Sequence, residues 1–175
     1  AEGVTAFLPT TVAWPADDLA AFVASVAWTL GTERWPGAAP IGLHLEGPWS
    51  GPEAPGAQPS GGIRPVDLVE ARTLLDRAGG LVRMVTLAPE IAGADALLEE
   101  LGRRGIVAAL GHSRARAEDV ERAVAAGARH VTHLFNAMAP LHHREPGLVG
   151  CALSDERLSF DLICDGVHID PRVVR

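Results

Sequence analysis

Short apolar, β-rich runs alternate with segments of helical periodicity along the whole chain. This alternation constrains the fold more than any other feature. The β-type runs are Val4–Pro9, Ile41–Leu45, Leu81–Leu87, Ile106–Leu110, His130–Leu134 and Phe160–Cys164. Between the first two, Leu19, Phe22, Val23, Val26 and Leu30 mark one face of a helix over Asp17–Leu30. A second helix starts with Pro65 as its first residue, carries Leu68, Ala71, Leu74, Leu75 and Ala78, and ends at Gly79-Gly80. A third covers Ala94–Leu101 and stops at Gly102. The fourth, Ala117–Ala126, opens on Glu118 and Asp119, offers a Glu118–Arg122 pair and ends at Gly127, as the helix dipole and glycine capping favour. Nine of the sixteen residues from 47 to 62 are Gly or Pro, which predicts a loop there. A longer connection is expected over Phe135–Cys151. Six strands alternating with helices predict repeated βαβ units and a parallel sheet.

Composition enters by exclusion. With 175 residues, 47% of them hydrophobic, the chain has the makings of one globular unit with a core. The net charge of −7 argues against a broad nucleic-acid surface. No apolar stretch reaches the ~18 residues of a membrane span, so neither nucleic acid nor membrane is expected as a partner. The first residues, Ala1-Glu2-Gly3-Val4, show no signal-peptide pattern. Lysine is absent, which excludes a phosphate-binding GxxxxGK[ST] loop, and no GxGxxG occurs. Cys151 and Cys164 lie in no CxxC pair and read as free thiols, in keeping with a reducing cytoplasm.

Ionisable residues recur where strands end: Glu46, His112, His133, Asp165 and His168. A (β/α)8 barrel gathers its chemistry from the C-terminal ends of several strands. On a strand, His130 and His133 would point to opposite faces, and His133, nearer the C-terminal end, is the better candidate. His44 would share a face with Glu46 and could be a further ligand or its partner. One carboxylate and two imidazoles on three strands make a three-ligand divalent site with a place left for water, the pattern of a catalytic zinc centre. Iron, cobalt or manganese would suit similar donors. Such a centre hydrolyses amides or esters. No HExxH or GxSxG competes with this reading. A second cluster, His142-His143-Arg144-Glu145, reads as an anion site, with Arg144 as the donor fork and backbone N–H groups at Asn136-Ala137 beside it.

Five segments then carry a resemblance: Gly42-Leu43-His44-Leu45-Glu46-Gly47-Pro48, Gly111-His112-Ser113, Thr132-His133-Leu134-Phe135-Asn136-Ala137-Met138, His143-Arg144-Glu145-Pro146-Gly147 and Asp165-Gly166-Val167-His168. In order and spacing they resemble the N-acetylglucosamine-6-phosphate deacetylase family of the amidohydrolase superfamily. The resemblance implies a metal-dependent (β/α)8 TIM barrel that removes acetate from N-acetylglucosamine 6-phosphate to give glucosamine 6-phosphate. It implies Glu46, His112 and His133 as metal ligands. It places Asn136, Ala137, His168 and Asp165 around the substrate, and Arg144 on the phosphate across a homodimer interface. A cytoplasmic enzyme of amino-sugar metabolism follows.

Three departures accompany the resemblance. In the loop Gly56-Ala57-Gln58, beside the substrate, Gln58 stands where the family often has a His; its amide could polarise the acetyl carbonyl but carries no proton. The family's acid/base Asp is expected beyond Arg175. The first barrel strand is expected before Ala1. About six of the eight βα units are therefore expected within 1–175, the central part of one barrel cut at both ends, since a closed barrel takes about 250 residues. The competing readings are another amidohydrolase, acting on a cyclic amide or amino-purine, and a catalytically incomplete fragment that binds metal or sugar phosphate.

Overall fold

The computed structural model describes residues 3–32 and 35–175. A first strand, β1 (Ala6–Phe7), leads into helix α1 (Ala16–Thr32), which has Asp17 and Asp18 in its first turn and buries Leu19 and Val23. The chain returns as β2 (Ala39–Pro40) and β3 (Leu43–Glu46). The loop that follows contains one 3-10 turn, Ser60–Gly62. Then come α2 (Leu68–Arg77), β4 (Val82–Leu87), α3 (Ala94–Arg104), β5 (Val107–Leu110), α4 (Ala117–Ala125), β6 (His130–Val131), α5 (Gly147–Ser154), β7 (Ser159–Phe160) and α6 (Pro171–Val174).

Every strand pairing among the described residues is parallel. The main sheet has the order β3-β4-β5-β6-β7, so each new strand lies beside the last. β1 pairs with β2, and main-chain bonds from His44 N–H to the Pro9 carbonyl (2.9 Å) and from Thr11 N–H to the His44 carbonyl (3.0 Å) carry that pairing onto β3. The strand order never reverses. That distinguishes this sheet from doubly wound nucleotide-binding sheets, whose ligands sit where the order switches. The result is an α/β fold with a parallel, one-directional sheet; among the described residues it remains an open arc rather than a closed barrel.

The core explains the order. Leu43, Leu45, Val85, Leu87, Leu110 and Val131 are buried together with Leu74, Leu97, Leu101 and Val120 from the helices. Parallel strands covered on both faces read as continuous apolar runs, as these do. No helix among the described residues is long and apolar enough to cross a membrane.

Several boundaries differ from the sequence reading for physical reasons. The run Ile41–Leu45 splits into β2 and β3 around Gly42, whose φ of 150° accompanies a close approach; a Cβ there would lie 2.2 Å from Arg83 Cγ. Helix α2 begins at Leu68 rather than Pro65, because the Asp67 carboxylate accepts the N–H groups of Val69 and Glu70. Helix α3 runs through Gly102 to Arg104 and is closed by Gly105 in the left-handed conformation. β6 stops at Val131, and β7 is Ser159–Phe160 rather than Phe160–Cys164; among the described residues, Asp161–Cys164 has no strand on its outer side to pair with. Helix α5 occupies part of the predicted connection Phe135–Cys151; its Gly-Leu-Val-Gly-Cys-Ala-Leu-Ser sequence has too few polar residues to mark a face.

Candidate metal centre

Three strand ends meet at one point. Glu46 is the last residue of β3, while His112 and His133 each follow their strand by two residues. One ligand atom from each lies within 4.8 Å of the others. His112 Nε2 is 2.8 Å and His133 Nε2 3.3 Å from Glu46 Oε1, and the two Nε2 atoms are 3.0 Å apart. The rings meet edge to face, with centroids 4.8 Å apart.

This donor set fits a divalent cation. His112 Nδ1 is 3.2 Å from the Ala54 carbonyl, a partner that only an N–H can satisfy. That keeps a proton on Nδ1 and makes Nε2, which faces Glu46, the nitrogen available to a cation, as a ligating histidine requires. Burial pushes the Glu46 carboxyl up, but hydrogen bonds and charge from His112 and His133 outweigh it and hold the group well below the usual carboxylate range. Burial lowers the His133 imidazole, yet its bond to Glu46 and the Glu46 charge raise it on balance. Both histidines stand on left-handed backbone, φ 48° at His112 and 38° at His133. Such conformations cost of order 1–3 kcal/mol each and gather at functional sites.

The centre opens into a cavity of about 530 Å³ that Ala57, Gln58, Asn136, Ala137 and His168 also line. Gln58 is buried and fixed at both ends of its amide: its Oε1 accepts the Ala13 N–H (2.7 Å) and its Nε2 donates to Glu46 Oε1 (2.9 Å). One amide N–H is left for the cavity. Gly56 makes room; a Cβ there would meet Ala137 Cβ at 2.9 Å and His112 Cε1 at 3.3 Å. Asp165 stays outside the cavity and backs His168, with Oδ2 2.7 Å from His168 Nδ1. The backbone N–H groups of His168 and Val167, together with the His168 ring, bring the Asp165 carboxyl down to about 2. Arg144 also lies outside the cavity. It is exposed, and its backbone N–H donates to His142 Nδ1 (3.2 Å).

His44 is not part of the metal group. It points at Thr86 Oγ1 (2.7 Å), which in turn contacts Thr132 Oγ1 (2.7 Å). Burial, only partly offset by Glu46 and Asp161, lowers its imidazole to about 4. His130 begins β6 and contacts Ser159 Oγ (2.9 Å) and Asp161 Oδ2 (3.4 Å). His130 and His133 are separated by the end of the strand and the turn after it, not by strand alternation. Sequence reasoning missed Thr10, Thr11, Val12 and Ile163 on the cavity wall, and Glu90 and Asp161 behind the two histidine loops. The strand-end rule would have found Glu90, three residues past β4, and Asp161, directly after β7.

No family model matches the chain. The N-acetylglucosamine-6-phosphate deacetylase of Bacillus subtilis (strain 168) is 42% identical over 172 residues, which is 97% of this chain and 43% of that protein. The N-acetylgalactosamine-6-phosphate deacetylase of Escherichia coli O157:H7 is 38% identical over 170 residues, 97% of this chain and 45% of that protein. A solved structure of N-acetyl-D-glucosamine-6-phosphate deacetylase from Mycobacterium smegmatis, an aspartate-to-alanine variant in complex with N-acetyl-D-glucosamine 6-phosphate, is similar with a TM-score of 0.93 at 38% identity. It covers 99% of this chain and 44% of that one. The chain thus spans under half the length of each of these proteins. With nearly all of its residues aligned, this chain is a homologue of the N-acetylglucosamine-6-phosphate deacetylases.

Proposed function

We propose that the chain supplies the metal centre and much of the substrate cavity of a metal-dependent hydrolase that releases acetate from N-acetylglucosamine 6-phosphate. The observation that carries this reading is the convergence of Glu46, His112 and His133 on one point at the C-terminal ends of parallel strands. The sheet is read as an arc of a (β/α)8 barrel, of which residues 1–175 form a central part. Its one-directional strand order and the position of the site at the strand ends support that reading.

A divalent cation held by Glu46, His112 and His133 would supply Lewis acidity for the amide carbonyl and for a water molecule. Zinc suits one carboxylate and two imidazoles. The chain's own residues do the rest. Gln58, with its amide direction fixed, presents its remaining N–H to the acetyl oxygen. Asn136, Ala137 and Ala57 pack against the sugar. The Asp165 carboxylate holds the His168 ring so that its other nitrogen can bond a sugar hydroxyl. Arg144, exposed and away from its own chain's cavity, reaches the phosphate of a partner subunit in a homodimer. Amino-sugar metabolism in the cytoplasm is the setting this chemistry implies.

Similarity to an N-acetylgalactosamine-6-phosphate deacetylase favours a second reading for the sugar alone, since the two substrates differ only at C4. Relative kcat/KM on the two sugar phosphates decides it. The main reading is tested by metal uptake and acetate release together. The 175-residue chain is expected to bind Zn2+ and release little or no acetate by itself, whereas the same residues within a complete barrel release acetate. Failure of the chain to take up any divalent ion, or an inert complete barrel, would contradict it.

A further inference from the structure

The left-handed backbone at His112 is held on the cavity side by the Ser113 N–H on the Ala137 carbonyl (3.0 Å), and from outside the metal centre by a carboxylate. Glu90 follows β4 by three residues, and both of its carboxylate oxygens grip the loop that carries His112. Oε1 accepts the Arg114 N–H (2.6 Å), and Oε2 accepts the Ser113 hydroxyl (2.7 Å). Ser113 is fully buried, and its oxygen also accepts the Ala115 N–H (2.9 Å). On the other side of His112, the Gly51 N–H donates to its carbonyl (2.7 Å). A Cβ on Gly51 would lie 2.9 Å from that carbonyl and 3.0 Å from Glu90 Oε1, so the glycine is what lets the two loops close on each other.

Glu90 is neither a ligand nor a cavity residue of the metal centre. It lines a different cavity, about 510 Å³, with Ser50, Gly51 and Arg114. It is not the cap of α4 either, because that helix closes its own start: the Asp119 carboxylate accepts the Arg116 N–H (3.0 Å). Two charge-assisted bonds spent on one turn of loop are therefore directed at the loop itself.

We propose that Glu90 is a positioning residue: by holding Ser113 and Arg114 it fixes the left-handed backbone at His112 and aims Nε2 at the metal centre. The inference rests on the metal reading above and adds the residue that shapes the site from behind. Outer partners of metal ligands typically change metal affinity by about 10- to 100-fold when removed.

The experiment uses the full chain stripped of metal with a chelator and titrated with Zn2+ by calorimetry. The visible spectrum of the Co2+ form and the metal-free unfolding midpoint are recorded alongside. Glu90→Ala should weaken Zn2+ binding about 10- to 100-fold and shift the Co2+ bands. Glu90→Gln, which keeps one acceptor oxygen, should fall in between. If Glu90→Ala does not fold, Glu90→Gln and Ser113→Ala are read in the same way. Zn2+ affinity within threefold of the parent and an unchanged Co2+ spectrum, even with a lower unfolding midpoint, would show that Glu90 only braces the fold. A folded parent chain that binds no Zn2+ would overturn the metal reading itself, which is a separate result.

Discussion

The centre of the sheet and its far edge are built differently, and the candidate metal site straddles them. β3, β4 and β5 run four to six residues and pair over Leu43–Glu46, Met84–Leu87 and Val107–Leu110, with Leu45, Val85, Leu87 and Leu110 buried. β6 and β7 pair over two residues each, and both residues of β7 are exposed. Glu46 and His112 stand on the packed part. His133, Asp165 and His168 stand on or after the thin part. Precision in a metal site comes from ligands on rigid elements supported from behind. On that ground the Glu46–His112 pair would define the candidate site, with His133 and His168 completing it from a softer flank.

The largest expected effect tests the packed half. Glu46→Gln or His112→Ala removes a donor, and the Zn2+ affinity of the full chain should fall by more than about 100-fold, beyond the loss from any outer partner. The next concerns packing. Leu87→Ala or Leu110→Ala, both at fully buried positions, should cost about 2–5 kcal/mol in denaturant unfolding. Phe160→Ala on the exposed β7 should cost clearly less. Equal losses would erase the difference between centre and edge.

A pH effect follows from His44. Its imidazole is held at about 4 in the fold, against the ordinary 6.5, because burial disfavours the charged form. The folded state therefore binds fewer protons than the unfolded chain between those values. The resulting stability is fully present above pH 6.5 and is lost as pH falls toward 4, a change of about 3 kcal/mol. His44→Gln should flatten that slope in urea unfolding at stepped pH. The smallest effect belongs to the soft flank: within a complete barrel, Asp165→Asn should free the His168 ring and raise the KM for the sugar phosphate a few-fold, with metal affinity unchanged. A metal-affinity loss there would place His168 closer to the centre than its cavity-wall position implies.

Much of this architecture is legible in the sequence because parallel strands buried on both faces write continuous apolar runs, as Leu81–Leu87 and Ile106–Leu110 do. The strand-end rule picked out Glu46, His112 and His133, which the fold brings within ligand distance of one another. What could not be read depends on partners far apart in the chain. β7 shrinks to Ser159–Phe160 because pairing, not propensity, defines a strand at an edge. His44 looks like a ligand by its spacing from Glu46, yet Thr86, 42 residues away, claims its Nε2. Gln58 reads as a free amide until the fold joins it to Ala13 and Glu46. Glu90 stands near a strand end, which the sequence shows, but its role comes from Ser113 and Arg114, more than twenty residues along the chain.

The most direct test of the account is anomalous X-ray diffraction from crystals of the full chain soaked with Zn2+. An anomalous peak is expected between Glu46, His112 and His133, at ~2.0–2.2 Å from the carboxylate oxygen and both Nε2 atoms. A peak at another cluster, or none at these residues under conditions that load zinc elsewhere, would contradict it.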